Sequence, residues 1–522
     1  MLGHFLGDHP APALRQFLLE GFSAGFHTGL ITLPTETFEC NNLRSAENNP
    51  AIVDELLQAE LSKGFLIGPF PPSPFSMWRV SPIGVVSGKF SNKFRLIYDL
   101  SAPHSSHIPS LNSLIPSEEF SLKYSSVDLA IQHILQLGRG AWLSKADITD
   151  AFKLLPISPA LWQWHGIKWR GQYFFATKLT FGSKSSPFLF DTFAQALHWI
   201  LEDCGSCQRV IHYLDDFLLL EDPGRPPRDL QVLTGLFSGL VVPLAAHKME
   251  GPAKVITFLG ITLDSDLMVA SLPMEKLARI RQVIHRFVRS PVCSKRDLQS
   301  LLGMLNHAMR IIPQGRAFVS RLLAVLPQGQ DSDSPVRLPT DAQADLIMWD
   351  RFLCHWNGIS MFIPHPTESS PRVFSDAAAS VGFSAIFGQE WLASSWPPEV
   401  FHLPKFALTS ALFEIYPILA AAVTWGPGWA GNSVIFFTDN LATARIINKG
   451  RSGSLLIMSF MRKLTWLGLT YRFHFQGEFI RGDHNGAADA LSRLNMPQFF
   501  FQHPAADRTG QPIPPYALLV MD

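Results

Sequence analysis

The stretch RVIHYLDDFLLLE, residues 209–221, constrains this chain more than any other. Two adjacent carboxylates, Asp215 and Asp216, sit between short apolar runs. The pattern predicts a strand–turn–strand hairpin with both acids at its tip. Two carboxylates buried side by side without partners are costly. A turn at the end of a sheet, where cations can reach them, removes that cost. A second stretch, AWLSKADITDAF, reads as a strand running into a turn, with Asp147 at the strand's end. If the two strands are neighbours, Asp147 and Asp215 can bridge the same pair of divalent ions. Carboxylates suit such ions because Mg²⁺ is hard and prefers oxygen. Asp150, close by, is expected to point elsewhere and to have a local role.

The chain around these strands is mixed. Residues 1–45 read as an attached arm with one amphipathic segment, LRQFLLEGF. Helical spacing marks 50–65, 125–139, 228–240 and the long run SSPFLFDTFAQALHWILEDC. Alternation around polar turns marks hairpins in VSPIGVVSGKFSNKFRLIYDL, WHGIKWRGQYFFATKL and KVITFLGITLDSDLMVASL. Residues 271–325 are helical and basic. From Lys276 to Arg321 there are ten Lys and Arg residues and one acid, Asp297. The whole chain has a formal net charge of zero, which does not by itself advertise a polyanionic partner. Residues 326–370 read as a connector with a helical core near DAQADLIMWDRFLCHW. Residues 496–522 are expected to be an extended tail.

A second pattern occupies 371–495. Three short strands are followed by helix, strand, two helices, strand and a last helical piece, which implies a sheet with flanking helices. Asp376 lies on the first strand, Glu414 in the first helix, Asp439 at the end of the strand VIFFTDN and Asp489 in the last helix. Four acids in that arrangement suit two divalent ions that activate water. Five scattered cysteines exclude a disulfide scaffold and suit a reducing, intracellular compartment. Cys204-x-x-Cys207 has metal-ligand spacing, but no second pair follows at zinc-finger distance. No apolar run is long and unbroken enough to predict a membrane span.

Taken with their order, these segments resemble the reverse transcriptases of long-terminal-repeat-type retroelements. The resemblance is greatest to the tyrosine-recombinase (DIRS/Ngaro-like) retrotransposons and covers about residues 45 to 495. It implies an α+β right-hand polymerase, with fingers and palm over 46–270 and a thumb over 271–325, followed by an α/β ribonuclease H-like domain. ADITDAFKLLPI resembles the first palm motif, which makes Asp147 a metal ligand and Phe152 the bulky residue that excludes a ribose 2′-hydroxyl. LTFGSKSSPFLF resembles the second motif, placing Phe181, Gly182 and Lys184 at the incoming nucleotide. Phe181 stands where retroviral relatives carry Gln, and Phe is usual in the retrotransposon class.

YLDD resembles the third motif, with Asp215 the firm ligand and Asp216 beside it. Lys248 matches a lysine near the triphosphate, Arg95 a triphosphate contact in the fingers, and Phe258-Leu259-Gly260 the primer-grip hairpin. Lys89 and Lys93 are weaker candidates. FTDN and GDHNGAADALSR resemble ribonuclease H segments, making Asp376, Glu414, Asp439 and Asp489 the second catalytic set. The implied cofactors are two Mg²⁺ per site, with Mn²⁺ as the alternative ion. The implied partners are an RNA template, a DNA primer or RNA–DNA hybrid, and deoxynucleoside triphosphates. An element-encoded recombinase or coat-like protein would be a further partner, and no membrane is involved. The rival reading is a domesticated or inactive descendant that binds nucleic acid without synthesis.

Overall fold

Phe217, Leu218, Leu219 and Leu220 are four consecutive residues with no exposure to solvent. Alternate side chains of a strand point to opposite faces, so such a run requires a sheet covered on both sides. In the computed structural model they lie on the strand Asp216–Glu221. This strand is antiparallel to Trp142–Asp147 on one side and to Arg209–Tyr213 on the other, with Glu250–Ala253 beyond Trp142–Asp147. The helices Ser186–Asp203, Asp229–Gly239 and Val127–Leu137 pack on this sheet.

The structure describes residues 1–88, 91–104, 107–326, 331, 333–356, 359–362, 368–403 and 408–516. The chain divides into two units, Met1–Phe258 and Leu259–Asp522. In the first unit a five-stranded sheet carries the hairpin Gly166–Trp169/Gln172–Ala176, and a separate hairpin pairs Ile83–Gly88 with Ser91–Tyr98. Residues 1–45, read as an attached arm, pack into the core of the first unit. Leu6, Leu18, Phe26 and Leu30 are buried in the same apolar cluster as Leu197 and Leu201. The Phe26 backbone bonds to Pro156 O and from Ser158 N, at 2.7 and 3.0 Å.

The second unit holds a five-stranded sheet in the order Glu390–Ser395, Gly382–Phe387, Arg372–Ala378, Ser433–Thr438, His474–Phe479. The first three strands are antiparallel, and the last two add in parallel. Helix Ser410–Trp425 is buried over nearly its whole length, and Glu414 is its one charged residue. The tail departs from expectation, since Met496–Gln502 is helical. Asn495 caps it by accepting from Gln498 N, and Pro497 falls in the first turn, where an amide has no helical partner to lose. Met496, Phe499 and Phe500 form an apolar stripe packed near Trp391, with Phe499 fully buried.

The segment read as a connector is anchored inside the second unit. Its helix Thr340–Trp356 carries Asp345, which is 1% exposed and accepts from Arg462 Nε and Nη2 at 3.0 and 3.3 Å. Arg321 Nη1 adds a contact at 3.5 Å. Burial raises the Asp345 carboxyl and lowers the Arg462 guanidinium, so desolvation outweighs the attraction on both sides of the pair. Removing one partner leaves the other charge buried alone. Asp345→Ala is therefore expected to destabilise the second unit by ~3–5 kcal/mol, read as the denaturant midpoint, and the double change to apolar residues by much less.

The basic stripe is partly neutralised by acids outside its own window. Arg281 pairs with Asp350 at 3.0 Å, Arg296 with Asp333 at 3.4 Å and Arg321 with Asp341 at 3.3 Å, while Arg286 takes Asp297 at 3.3 Å. It is a smaller positive surface than the sequence count suggested.

Two candidate carboxylate sites

The first site is built by the hairpin tip. Tyr213 faces Asp216 across the ladder, which leaves Leu214 and Asp215 as a two-residue loop. Leu214 has φ +55°, the sign such loops demand and one that leucine rarely adopts. On the other side Asp216 faces Asp147. Three acids therefore meet at one end of the sheet. Burial and the neighbouring Asp147 raise the Asp215 carboxyl. Burial, then the charges of Asp215 and Asp147, push Asp216 up to about 7. Lys248, in the short turn Ala246–Lys248, donates to both oxygens of Asp147 at 2.8 and 2.7 Å. One ammonium faces three carboxylates, so the donor set is short of positive charge.

Arg95 is exposed on the strand Ser91–Tyr98, near enough for its charge to offset part of the rise of the Asp215 carboxyl. Lys89 and the side chain of Lys93 lie outside the described residues. Phe152 is buried in the turn Ala151–Leu154, and its ring lies 4.8 Å from that of Phe181, which is 50% exposed. The two rings make an apolar wall. Gly182 has φ +99°, and a Cβ there would lie 2.2 Å from Tyr98 O, so no other residue fits. The Lys184 ammonium does not point free: it donates to Ile115 O at 2.8 Å. Asp150 is turned to Lys63 at 2.6 Å, away from the other acids.

The second site lies on the C-terminal sheet. Asp376 is the fifth residue of strand Arg372–Ala378, and Asp439 directly follows strand Ser433–Thr438, which pairs with it in parallel. Glu414 comes from the buried helix. One carboxylate oxygen from each of Asp376, Glu414 and Asp439 lies within 4.8 Å of the others, and among the described residues this is the single group of three possible ligands so close. Asp489 is near enough to raise both Asp376 and Asp439, but its Oδ1 is held by Arg493 Nε at 2.8 Å. Burial, then Asp376 and Asp439, pushes Glu414 up to about 9. Burial also pushes Asp376 up to about 6, against the opposing hydrogen bond from Ser492 at 2.5 Å. Acids raised by burial and by one another are a donor set that a divalent cation relieves.

Residues 78–263 match the family model for reverse transcriptase (RNA-dependent DNA polymerase). The acids Asp147, Asp215 and Asp216 fall within this matched stretch. The Pro-Pol polyprotein of Simian foamy virus type 1 is 28% identical over 194 residues, which is 36% of this chain and 15% of that protein. The chain thus matches a small part of that relative's length. Three solved structures share the fold at low identity. One is the foamy viral protease-reverse transcriptase dRH in complex with double-stranded DNA, with a TM-score of 0.51 and 17% identity, covering 87% of this chain and 73% of that one. Another is the foamy viral protease-reverse transcriptase with RNA/DNA hybrid, with a TM-score of 0.50 and 14% identity, covering 91% and 62%. The third is that protein with double-stranded DNA, with a TM-score of 0.50 and 16% identity, covering 91% and 96%. The fold is the mixed α and β architecture of these protease-reverse transcriptase structures, consistent with a polymerase fold. No helix among the described residues is long and apolar enough to cross a membrane.

Two residues that shape the second site were not singled out from the sequence. Ser492 holds Asp376 from the last helix, three residues beyond Asp489. Thr438 donates to Glu414 Oε2 at 3.2 Å. Its position just before Asp439 was the available signal.

Proposed function

We propose that this protein copies RNA into DNA at Asp147, Asp215 and Asp216, and cleaves the RNA strand of RNA–DNA hybrids at Asp376, Glu414, Asp439 and Asp489. The observation that carries the reading is the meeting of three acids at a strained hairpin tip inside the region that matches reverse transcriptases. Two Mg²⁺ per site, with Mn²⁺ as substitute, would be held by these carboxylates and would supply charge to the leaving oxygen and acidify the attacking hydroxyl or water. Arg95 binds the triphosphate through its guanidinium fork. Lys248 lies beside Asp147, placed to hold the triphosphate and to give a proton to pyrophosphate. The nuclease half gathers three of its acids and keeps Asp489 beside them.

The substrates would be an RNA template with a DNA primer, the resulting hybrid, and deoxynucleoside triphosphates. We assign the chain to the tyrosine-recombinase class of retrotransposons, on Phe181 and the segment GDHNGAADALSR. A recombinase or coat-like protein of the same element would then be a partner.

Phe152 sets sugar choice in this account, because its ring fills the space a 2′-hydroxyl needs. Phe152→Val is expected to raise incorporation of ribonucleotides relative to deoxynucleotides by about 10–100-fold, the order that even one methylene is worth in a tight pocket. Competing single-nucleotide incorporation measures it. The proposal as a whole is tested with a labelled DNA primer on a labelled RNA template, read for primer extension and RNA shortening together. Binding of the hybrid with neither product would favour a nucleic-acid-binding descendant.

A further inference from the structure

Residues 179–185, which carry Phe181, Gly182 and Lys184, belong to no strand or helix. Their backbone groups must find partners elsewhere. One side chain supplies two of them, at Gly182 O and Lys184 N. Asn112, at the second position of the short turn Leu111–Leu114, donates from Nδ2 to Gly182 O at 2.8 Å and to Ser101 Oγ at 2.9 Å. Its Oδ1 accepts from Lys184 N at 2.9 Å. Its own backbone N–H donates to Leu100 O at 3.0 Å. Both amide hydrogens and one lone pair of the amide oxygen are therefore engaged, three of the group's four bonding positions.

The contacts tie two substrate-facing pieces together. Leu100 and Ser101 continue directly from the strand Ser91–Tyr98, which carries Arg95. Gly182 passes against Tyr98 O on that strand so closely that a Cβ would collide. Lys184 Nζ on Ile115 O, at 2.8 Å, is a second clamp, at the residue that follows this turn. Arg95 is assigned to the triphosphate, and the Phe181–Phe152 wall to the sugar. Their spacing is held where Asn112 spans Ser101, Gly182 and Lys184.

We propose that Asn112 is a positioning residue that sets the affinity for the incoming deoxynucleotide by fixing the Phe181–Lys184 loop against the arginine-bearing strand. This rests on the polymerase reading above. Asn112 touches no reacting atom in this account, so its loss should weaken nucleotide binding more than the chemical step. Asn112→Ala removes all three side-chain bonds. Asn112→Asp keeps an acceptor for Lys184 N but loses both donors, and sets negative charge against Gly182 O.

The test is single-nucleotide incorporation by the full chain on a fixed RNA template with a DNA primer. It is accompanied by the melting temperature and by fluorescence anisotropy of template–primer binding. Both variants are expected to raise KM for the deoxynucleotide by about ten-fold or more, with kcat within about three-fold and template–primer affinity unchanged. The Asp variant should be impaired at least as much as the Ala variant. Unchanged KM in both variants, with the unaltered protein active, overturns the assignment. So does a loss of kcat, template–primer affinity and melting temperature together, which marks a purely structural brace. An unaltered, folded protein that incorporates nothing contradicts the polymerase reading itself.

Discussion

Asp215→Asn is expected to lower deoxynucleotide incorporation by about three orders of magnitude, equivalent to ~4 kcal/mol of transition-state stabilisation. The variant should still fold and bind template–primer. Asp215 is raised by burial and by the charge of Asp147, so the native site works against its ionisation. An isosteric neutral amide relieves that repulsion, and the melting temperature of the metal-free protein should hold or rise. The catalytic loss comes from a different quantity. A carboxylate that binds a divalent cation contributes charge that an amide lacks. Steady-state incorporation and calorimetry on the same preparation separate the two. A variant that loses stability in step with activity would show that Asp215 is structural.

Glu414→Gln should abolish RNA cleavage in hybrids, leave primer extension intact, and change the pH dependence of stability. The Glu414 carboxyl is pushed up to about 9 from an ordinary 4.5. The folded chain therefore holds this proton more tightly than the unfolded chain does. Stability contributed by the protonated form is present below pH 4.5 and is lost progressively as pH rises towards 9. Gln cannot ionise, so the variant escapes that loss. In chelator its melting temperature should exceed that of the unaltered protein at pH 8, with little difference at pH 4.5. Mg²⁺ should then stabilise the unaltered protein more than the variant, because the cation favours the ionised acids. Equal differences at both pH values would contradict the assignment of the raised carboxyl.

The parts of the fold that were legible in the sequence depend on near neighbours. RVIHYLDDFLLLE is a hairpin because its apolar runs are short, buried and separated by a two-residue loop. Glu414, in a helix, and Asp439, ending a strand, were legible only through their order with Asp376 and Asp489. The parts that were illegible depend on partners far along the chain. Arg281, Arg296 and Arg321 appeared unpaired because Asp350, Asp333, Asp341 and Asp345 lie beyond the basic stretch. Asp345 meets Arg462 only after the second unit has folded. Asn112 is separated from Gly182 by a whole sheet's worth of sequence, and nothing local marks it. The helix Met496–Gln502 was obscured by its Pro, which sits where helices tolerate one.

The most direct measurement is extension of a DNA primer on an RNA template by the purified full chain, in Mg²⁺ and in Mn²⁺. Template-directed deoxynucleotide addition is expected, lost on chelation and in Asp215→Asn. Folded protein that binds the template–primer but adds no nucleotide with either ion would contradict this expectation.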